Sequence, residues 1–434
     1  MNIHTLLLAS ALTLIAFAPS GMGQELQDSG GAPSELETLL QDWSREAPTA
    51  RDMRNFVRGL DDTELGLLFE MASIGVYPDG RRLPEKQRTL SLDLLCSLGI
   101  ASLRPLLTTD EYASIERRRC VMTILSHIGT GRDLRLAIAA ALLDDEAIEF
   151  ELLDALSPCA LAIMQRDLSS MRDVRSSALK AIHPEIAKAL LRALAGTKTP
   201  EALQLLADSL GLNRELEATI LQEMKGLLSA FPTQLANGFE VTLLPYLSDD
   251  DTYVRRAATM VAGATIEPDL ANRLVELLED DERGVREAAH WSLKQLSGHS
   301  LPANSNRWKA WLSGEARWFN QEWRQLHEDL ASGERDRVVQ AMSETCSHPL
   351  YRRQTSERVT LLLEHSDSLI RGAACSALRQ LNFSADLLSI TYLLDDSDPA
   401  VAHKALATLQ SLTGKSLPPS IETWHDALTH NAVQ

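Results

Sequence analysis

One register organises the C-terminal half of this 434-residue chain. Val254 and Val285 stand 31 residues apart, each followed by an arginine (Arg255, Arg286) and an alanine pair, Ala257-Ala258 and Ala288-Ala289. Ile370 and Val401 are again 31 apart, and an offset of 116 carries the first pair onto the second. The same offset carries Leu274, Leu277 and Leu278 onto Ile390, Leu393 and Leu394. It also carries Leu296-Ser297-Gly298 onto Leu412-Thr413-Gly414, Leu301-Pro302 onto Leu417-Pro418, and Trp308 onto Trp424. A duplicated module follows, each copy being two helical repeats with a tryptophan-bearing tail.

The physics of the unit is that of a helix pair. Leu274, Leu277 and Leu278 stripe one helix, and Val285, Ala289, Leu293 and Leu296 stripe the next. Asp251, Asp367 and Asp398 precede the reference apolar position by three residues, with Glu282 as the exception. Aspartate caps a helix because its carboxylate accepts the free N–H groups of the first turn. Pro399 falls at a first helical position, where its missing N–H costs nothing. One such pair cannot bury its apolar face alone, so neighbours must stack. The fold expected is all-α, an α-solenoid.

These residues resemble the HEAT-repeat family, in the short form often called phycobilisome-lyase-type HEAT-like repeats, over residues 240–415. The resemblance implies a ladder between repeats, made by an Asp in the inter-helix turn and a basic residue after the reference Val. The matching pairs are Asp249 with Arg255 and Asp280 with Arg286. The third copy keeps Arg371 but has His365 in the Asp position; the fourth keeps Asp396 but has Ala402. The tail RWKAWLSGEARWF, followed by HPLYRR, is similar to exported HEAT-repeat proteins of planctomycete-type bacteria. Such repeats are scaffolds with many clients, so the resemblance speaks to fold more than to function.

The N-terminus, MNIHTLLLASALTLIAFAPSGMGQ, holds an apolar run from Leu6 to Ala18 that is too short for a membrane span. Gly21 and Gly23 suit a cleavage site before Gln24, so residues 1–23 read as a secretory signal, although the n-region has no Lys or Arg. Residues 24–34 follow as a flexible spacer, 35–240 as divergent helical repeats, 241–330 as the first module and 331–434 as the second. Five scattered cysteines without a CxxC pair read as small buried hydrophobes rather than a disulfide framework. A net charge of −18 disfavours phosphate backbones and anionic headgroups.

In the N-terminal half, helical segments centre on Leu36–Trp43 and Leu60–Ala72. The loop Tyr77–Arg88 carries Arg81, Arg82, Lys86 and Arg88, a solvated loop or a basic binding patch. Val174-Arg175 and the acidic run Asp144-Asp145-Glu146 echo the repeat, and Thr199-Pro200-Glu201 opens a helix.

Four of the seven tryptophans (Trp308, Trp311, Trp318, Trp323) fall in the insertion between modules. The recurrence of Trp308 as Trp424 points to core. Trp318, Phe319 and Trp323 have no counterpart and are the candidates for a partner-binding patch that would take a peptide or a glycan. No HExxH, GxSxG or P-loop occurs. Histidines are dispersed, and acidic turns such as Asp249-Asp250-Asp251 behave as caps, with a calcium site as the sharper alternative.

The expectation is a non-enzymatic scaffold, periplasmic or extracellular, that binds another protein on its solenoid surface. It needs no cofactor and no metal, takes no nucleic acid and does not enter the membrane after signal cleavage. The alternative is an enzyme or carbohydrate-binding accessory factor with its site in the divergent N-terminal half. A structural component of an envelope assembly is a third reading.

Overall fold

The computed structural model describes residues 35–107, 114–142, 150–231, 235, 238–384 and 386–429. The signal segment 1–23, the spacer 24–34 and the acidic run at 144–146 lie outside the described residues. The chain divides into two compact units, ending at Ala47 and beginning at Pro48. The described part of the first is the helix Glu35–Arg45.

The second unit is a two-layered array of helices, and the fold is all-α, an α-solenoid. Among the described residues no strand forms, and an isolated bridge joins Val76 and Arg82. One layer runs through Ile115–Ile128, Phe150–Arg166, Pro184–Gly196, Glu217–Leu228, Thr252–Ala264 and Arg283–Ser297, each packing on the next. Shorter helices, among them Met171–Lys180, Pro200–Ala207 and Ala271–Glu276, form the other layer and pair with the long ones. After residue 330 the long layer resumes as Arg335–Thr345, Ser368–Leu381 and Pro399–Thr413. Helices Arg352–Leu361 and Leu387–Tyr392 cover it. No described helix is long and apolar enough to cross a membrane.

The four helix pairs of the C-terminal repeats are built on the same turn. The short helix tightens into a 3₁₀ turn at Tyr246–Ser248, Leu277–Glu279, Leu362–Glu364 and Leu393–Asp395. The side chains of Asp251, Asp367 and Asp398 then cap the long helix, accepting the N–H groups of Tyr253, Leu369 and Ala400 at 2.8–2.9 Å. Glu282 makes no such bond, because its extra methylene carries the carboxylate past the first-turn amides. At the other end, Gly298 and Gly414 close the two equivalent long helices with φ of +71° and +69°. Glycine tolerates that left-handed conformation at no steric cost.

Packing between long helices follows the duplication as closely as the turns do. Ser292 Oγ donates to the Thr259 carbonyl at 2.7 Å, and 116 residues on Thr408 Oγ1 donates to the Cys375 carbonyl at 2.9 Å. Gly263 lies against Ser292 so closely that a Cβ there would sit 2.4 Å from the Ser292 Cα. All five cysteines are free thiols, three of them buried. Burial pushes the thiols of Cys120, Cys159 and Cys375 up to about 12, leaving them inert near neutral pH.

Gly263→Ala should therefore destabilise the protein by about 1–3 kcal/mol, because backbone must move to admit the methyl. Gly226→Ala, on the exposed side of Glu217–Leu228 where nothing lies within 4 Å, should stabilise it by about 0.5–1 kcal/mol. Urea melts of the two variants check the pair of signs.

Candidate functional site

Two groups of residues carry the expected sites: the turn ladder and the aromatic insertion. In the ladder the arginine works in both directions. Arg255 Nη1 donates to the Asp249 carbonyl at 2.6 Å, closing its own turn, while its Nε and Nη2 reach the Asp280 carboxylate at 2.8 and 3.1 Å. Arg371 repeats this, closing on the His365 carbonyl at 2.8 Å and gripping the Asp396 carboxylate at 2.7 Å through two nitrogens. The expected pairing of Asp249 with Arg255 and of Asp280 with Arg286 is corrected accordingly. Within a repeat the arginine meets the backbone carbonyl, and its carboxylate partner belongs to the next repeat.

The reason lies in the turn. The Asp249, Asp280 and Asp396 carboxylates fold back to accept the N–H two residues on, at 2.8–2.9 Å. Their other face points towards the preceding repeat. His365 fills the same place, its Nδ1 accepting the Asp367 N–H at 3.0 Å, which the sequence pattern does not announce. Arg286 closes its own turn on the Asp280 and Asp281 carbonyls at 2.7 and 2.8 Å. Among the described residues it has no carboxylate partner, since Trp311 stands where the next Asp would be. Asp249 is met from upstream by Arg214.

The Arg371 hydrogen bonds hold the Asp396 carboxyl below its usual range. For Asp280, burial pushes the carboxyl up, and the bonds from Arg255 and the Glu282 amide outweigh it and hold it low.

The insertion begins at Asn304, whose side chain accepts the Arg307 N–H at 3.0 Å and starts the helix Ser305–Gln321. Trp308, Leu312, Glu315 and Trp318 form its buried stripe. The helix packs on Ala271–Glu276, and Ile421–Thr429 packs on Leu387–Tyr392 in the same register. Trp308 and Trp424 are both fully buried and neither indole N–H makes a hydrogen bond among the described residues. Both rings supply bulk.

Trp318 is corrected as a contact residue: it is only 4% exposed, so no partner reaches its face. Its ring stacks on His348 at 3.7 Å and 13°. His348 Nδ1 lies 3.0 Å from Glu315 Oε1, and its Nε2 lies 3.3 Å from Glu344 Oε1. Burial pushes the Glu315 carboxyl up, and the His348 hydrogen bond only partly offsets that. Above this base Phe319 stacks on Tyr351 at 4.1 Å and 11°, and runs nearly parallel to Trp323 at 6.0 Å. Trp323 lies parallel to His327 at 6.1 Å. Tyr351, Phe319, Trp323 and His327 are all half-buried, so each ring keeps part of its surface in solvent.

The sequence reading missed what HPLYRR does. His348 and Tyr351 supply the stacking partners, and Leu350 is buried. Arg352 Nη1 and Nη2 donate to the Leu296 and Gln295 carbonyls at 2.8 and 3.2 Å, capping Arg283–Ser297 across the insertion. Its desolvation there lowers the guanidinium to about 10. Arg353 reaches Glu267 at 2.5 Å. Two adjacent arginines in a tail were the available signal.

The basic loop is folded back on its own neighbours. Arg88 donates to the Ala72 and Ser73 carbonyls at 2.9 and 2.7 Å, and the Arg81 guanidinium lies 5.0 Å from the Tyr77 ring centroid. In the N-terminal half a cleft of about 210 Å³ is lined by Gln204, Ala207, Asp208, Phe239 and Thr242 among others. Its one carboxylate, on Asp208, is taken by Gln204 Nε2 at 2.8 Å.

Residues 240–303 match the sequence pattern that defines HEAT repeats. No curated protein matches the chain. Among solved structures it is similar to the karyopherin Kap121p bound to the extreme C-terminus of the protein phosphatase Cdc14p. That match has 12% identity and a TM-score of 0.39, covering 91% of this chain and 46% of that one. The same karyopherin bound to Nup53p gives 12% identity, a TM-score of 0.38 and the same coverages. The chain thus spans under half the length of the karyopherin.

Asp396 titrates below the ordinary 3.8 in the folded state, so its stabilisation is fully present above that value. It is lost as pH falls through the depressed one. Asp396→Asn should cost about 2 kcal/mol at pH 7, and the gap to wild type should narrow below about pH 4. Thermal melts from pH 7 to 2.5 check this.

Proposed function

We propose that the chain is a non-enzymatic interaction scaffold of the exported, bacterial HEAT-repeat kind, which binds another protein outside the cytoplasm. The observation that carries the reading is the row Tyr351, Phe319, Trp323 and His327, held half-exposed where the two modules meet. Rings fixed by stacking lose little freedom on binding, and aromatic side chains dominate the energetics of protein contacts. Phe319 and Trp323 are the contact residues, and Trp318 is the wall that positions them. The ladder Asp249, Arg255, Asp280, Arg286, Arg371 and Asp396 keeps the array rigid, so that binding costs little ordering. The apolar run Leu6–Ala18 supports export, and the net charge of −18 supports a protein rather than a nucleic-acid partner.

Pull-downs from envelope extract with residues 24–434 test the reading. A stoichiometric protein captured by wild type should be lost in Phe319→Ala/Trp323→Ala at unchanged melting temperature, whereas Trp318→Ala should melt early by about 3–5 kcal/mol. Equal capture by the double variant, or no captured protein, contradicts it.

A further inference from the structure

The two modules agree in their cores and turns and differ at one exposed position at the end of the short helix. Nine residues before the reference apolar position stand Pro245, Glu276, Leu361 and Tyr392. The offset of 116 thus exchanges a proline and a glutamate of the first module for a leucine and a tyrosine of the second. Leu361 is 67% exposed and Tyr392 is 60% exposed. Leu369, on the next helix of the same repeat as Leu361, is 57% exposed, and its equivalent in the first module, Tyr253, is 77% exposed, so that position is large and solvent-facing in both modules. On the same edge Asp250 and Asp281 of the first module become Ser366 and Ser397. Burial within the fold does not account for three large apolar side chains left in solvent on successive repeats.

Each anchor has an acidic neighbour in register. Glu364 follows Leu361 by three residues and Asp395 follows Tyr392 by three, and both are exposed. The nearby cations in sequence are Arg358, one turn before Leu361, and Arg371, which is engaged by the Asp396 carboxylate. The chain as a whole carries −18. A second copy would bring the same carboxylates to the same edge, so self-association is opposed by charge. A basic partner is favoured by it. Spacing narrows the partner further. The long helices of these two repeats, Ser368–Leu381 and Pro399–Thr413, pack on each other, adjacent packed helices stand about 8–10 Å apart, and the same repeat step carries Leu361 onto Tyr392. In an α-helix, residues i and i+7 lie about 10.5 Å apart on one face, with i+3 and i+4 between them.

We infer that the edge formed by Leu361, Leu369 and Tyr392 is a docking surface for a basic amphipathic helix of a partner protein. The partner's apolar stripe covers the three side chains and its Lys or Arg residues face Glu364 and Asp395. The inference rests on the reading of the chain as an interaction scaffold and assigns a second surface to it.

The probe is a synthetic peptide of about 18 residues with leucines at i, i+3, i+4 and i+7 and lysines elsewhere, followed by fluorescence anisotropy against the full chain. Leu361→Ser/Tyr392→Ser should weaken binding about tenfold or more, and Leu369→Ser should weaken it in the same direction. Ile182→Ser, at an unrelated site that is 90% exposed, should leave it unchanged. A peptide with glutamates for the lysines should not bind. All the substituted positions are exposed, and melts verify that the variants are folded. The inference is overturned if the double variant binds like wild type, or if serine replaces the probe's leucines without loss. Phe319→Ala/Trp323→Ala lies outside this edge and should bind the probe normally, so a failure of the aromatic site and a failure of this one are separable.

Discussion

A stack of helix pairs leaves a carbonyl problem at its turns, and arginine solves it at many of them in this protein. The last carbonyls of a helix have no partner within it, and in a solenoid many of those ends face a neighbouring repeat rather than water. Arg255, Arg286 and Arg371 close their own turns from one helical turn downstream. Arg166 reaches back to the Leu125 and Gly129 carbonyls at the end of Ile115–Ile128. Arg175 reaches forward to the Leu205 and Asp208 carbonyls. The guanidinium suits the task because its fan of donors spans two acceptors at once. Where its second edge meets an aspartate, as with Asp280 and Asp396, it also joins successive repeats.

The aromatic insertion is a break in that ladder. Arg286 finds no aspartate beyond it, because a helix of tryptophans occupies the place of a repeat. Continuity is restored by other means: Trp308 fills the end of the first module, and Arg352 and Arg353 reach over the insertion to Leu296 and Glu267. Helix Trp323–Leu330 meanwhile contributes Leu326 and Leu330 to the core of the second module. The row of half-buried rings sits at that seam.

Much of the architecture was legible in the sequence because the physics there is local. A capping aspartate, a following apolar position and a terminal glycine act within one or two turns. Asp251, Asp367 and Asp398 accordingly cap where the spacing placed them, and the register that matched Gly298 to Gly414 puts both at helix ends. What acts across repeats was not legible. The direction of the Arg255 and Arg371 pairing depends on which face of an occupied carboxylate remains free, and His365 imitates an aspartate only through its ring nitrogen. The burial of Trp318 follows from His348, 30 residues away in the chain, so the residue that looked most available for binding is the support for its neighbours. The exposure of Leu361 and Tyr392 depends on what neighbouring helices leave uncovered, which no local pattern encodes.

The central claim is that guanidinium bridges make the two modules one cooperative array. Hydrogen exchange of the intact chain in moderate denaturant, wild type against Arg352→Ala/Arg353→Ala, tests it directly. The account predicts that amides of Thr252–Ala264 and of Ser368–Leu381 exchange through one common opening in wild type and through two separate openings in the variant. Two independent openings in wild type, or a single shared opening in the variant, would contradict it.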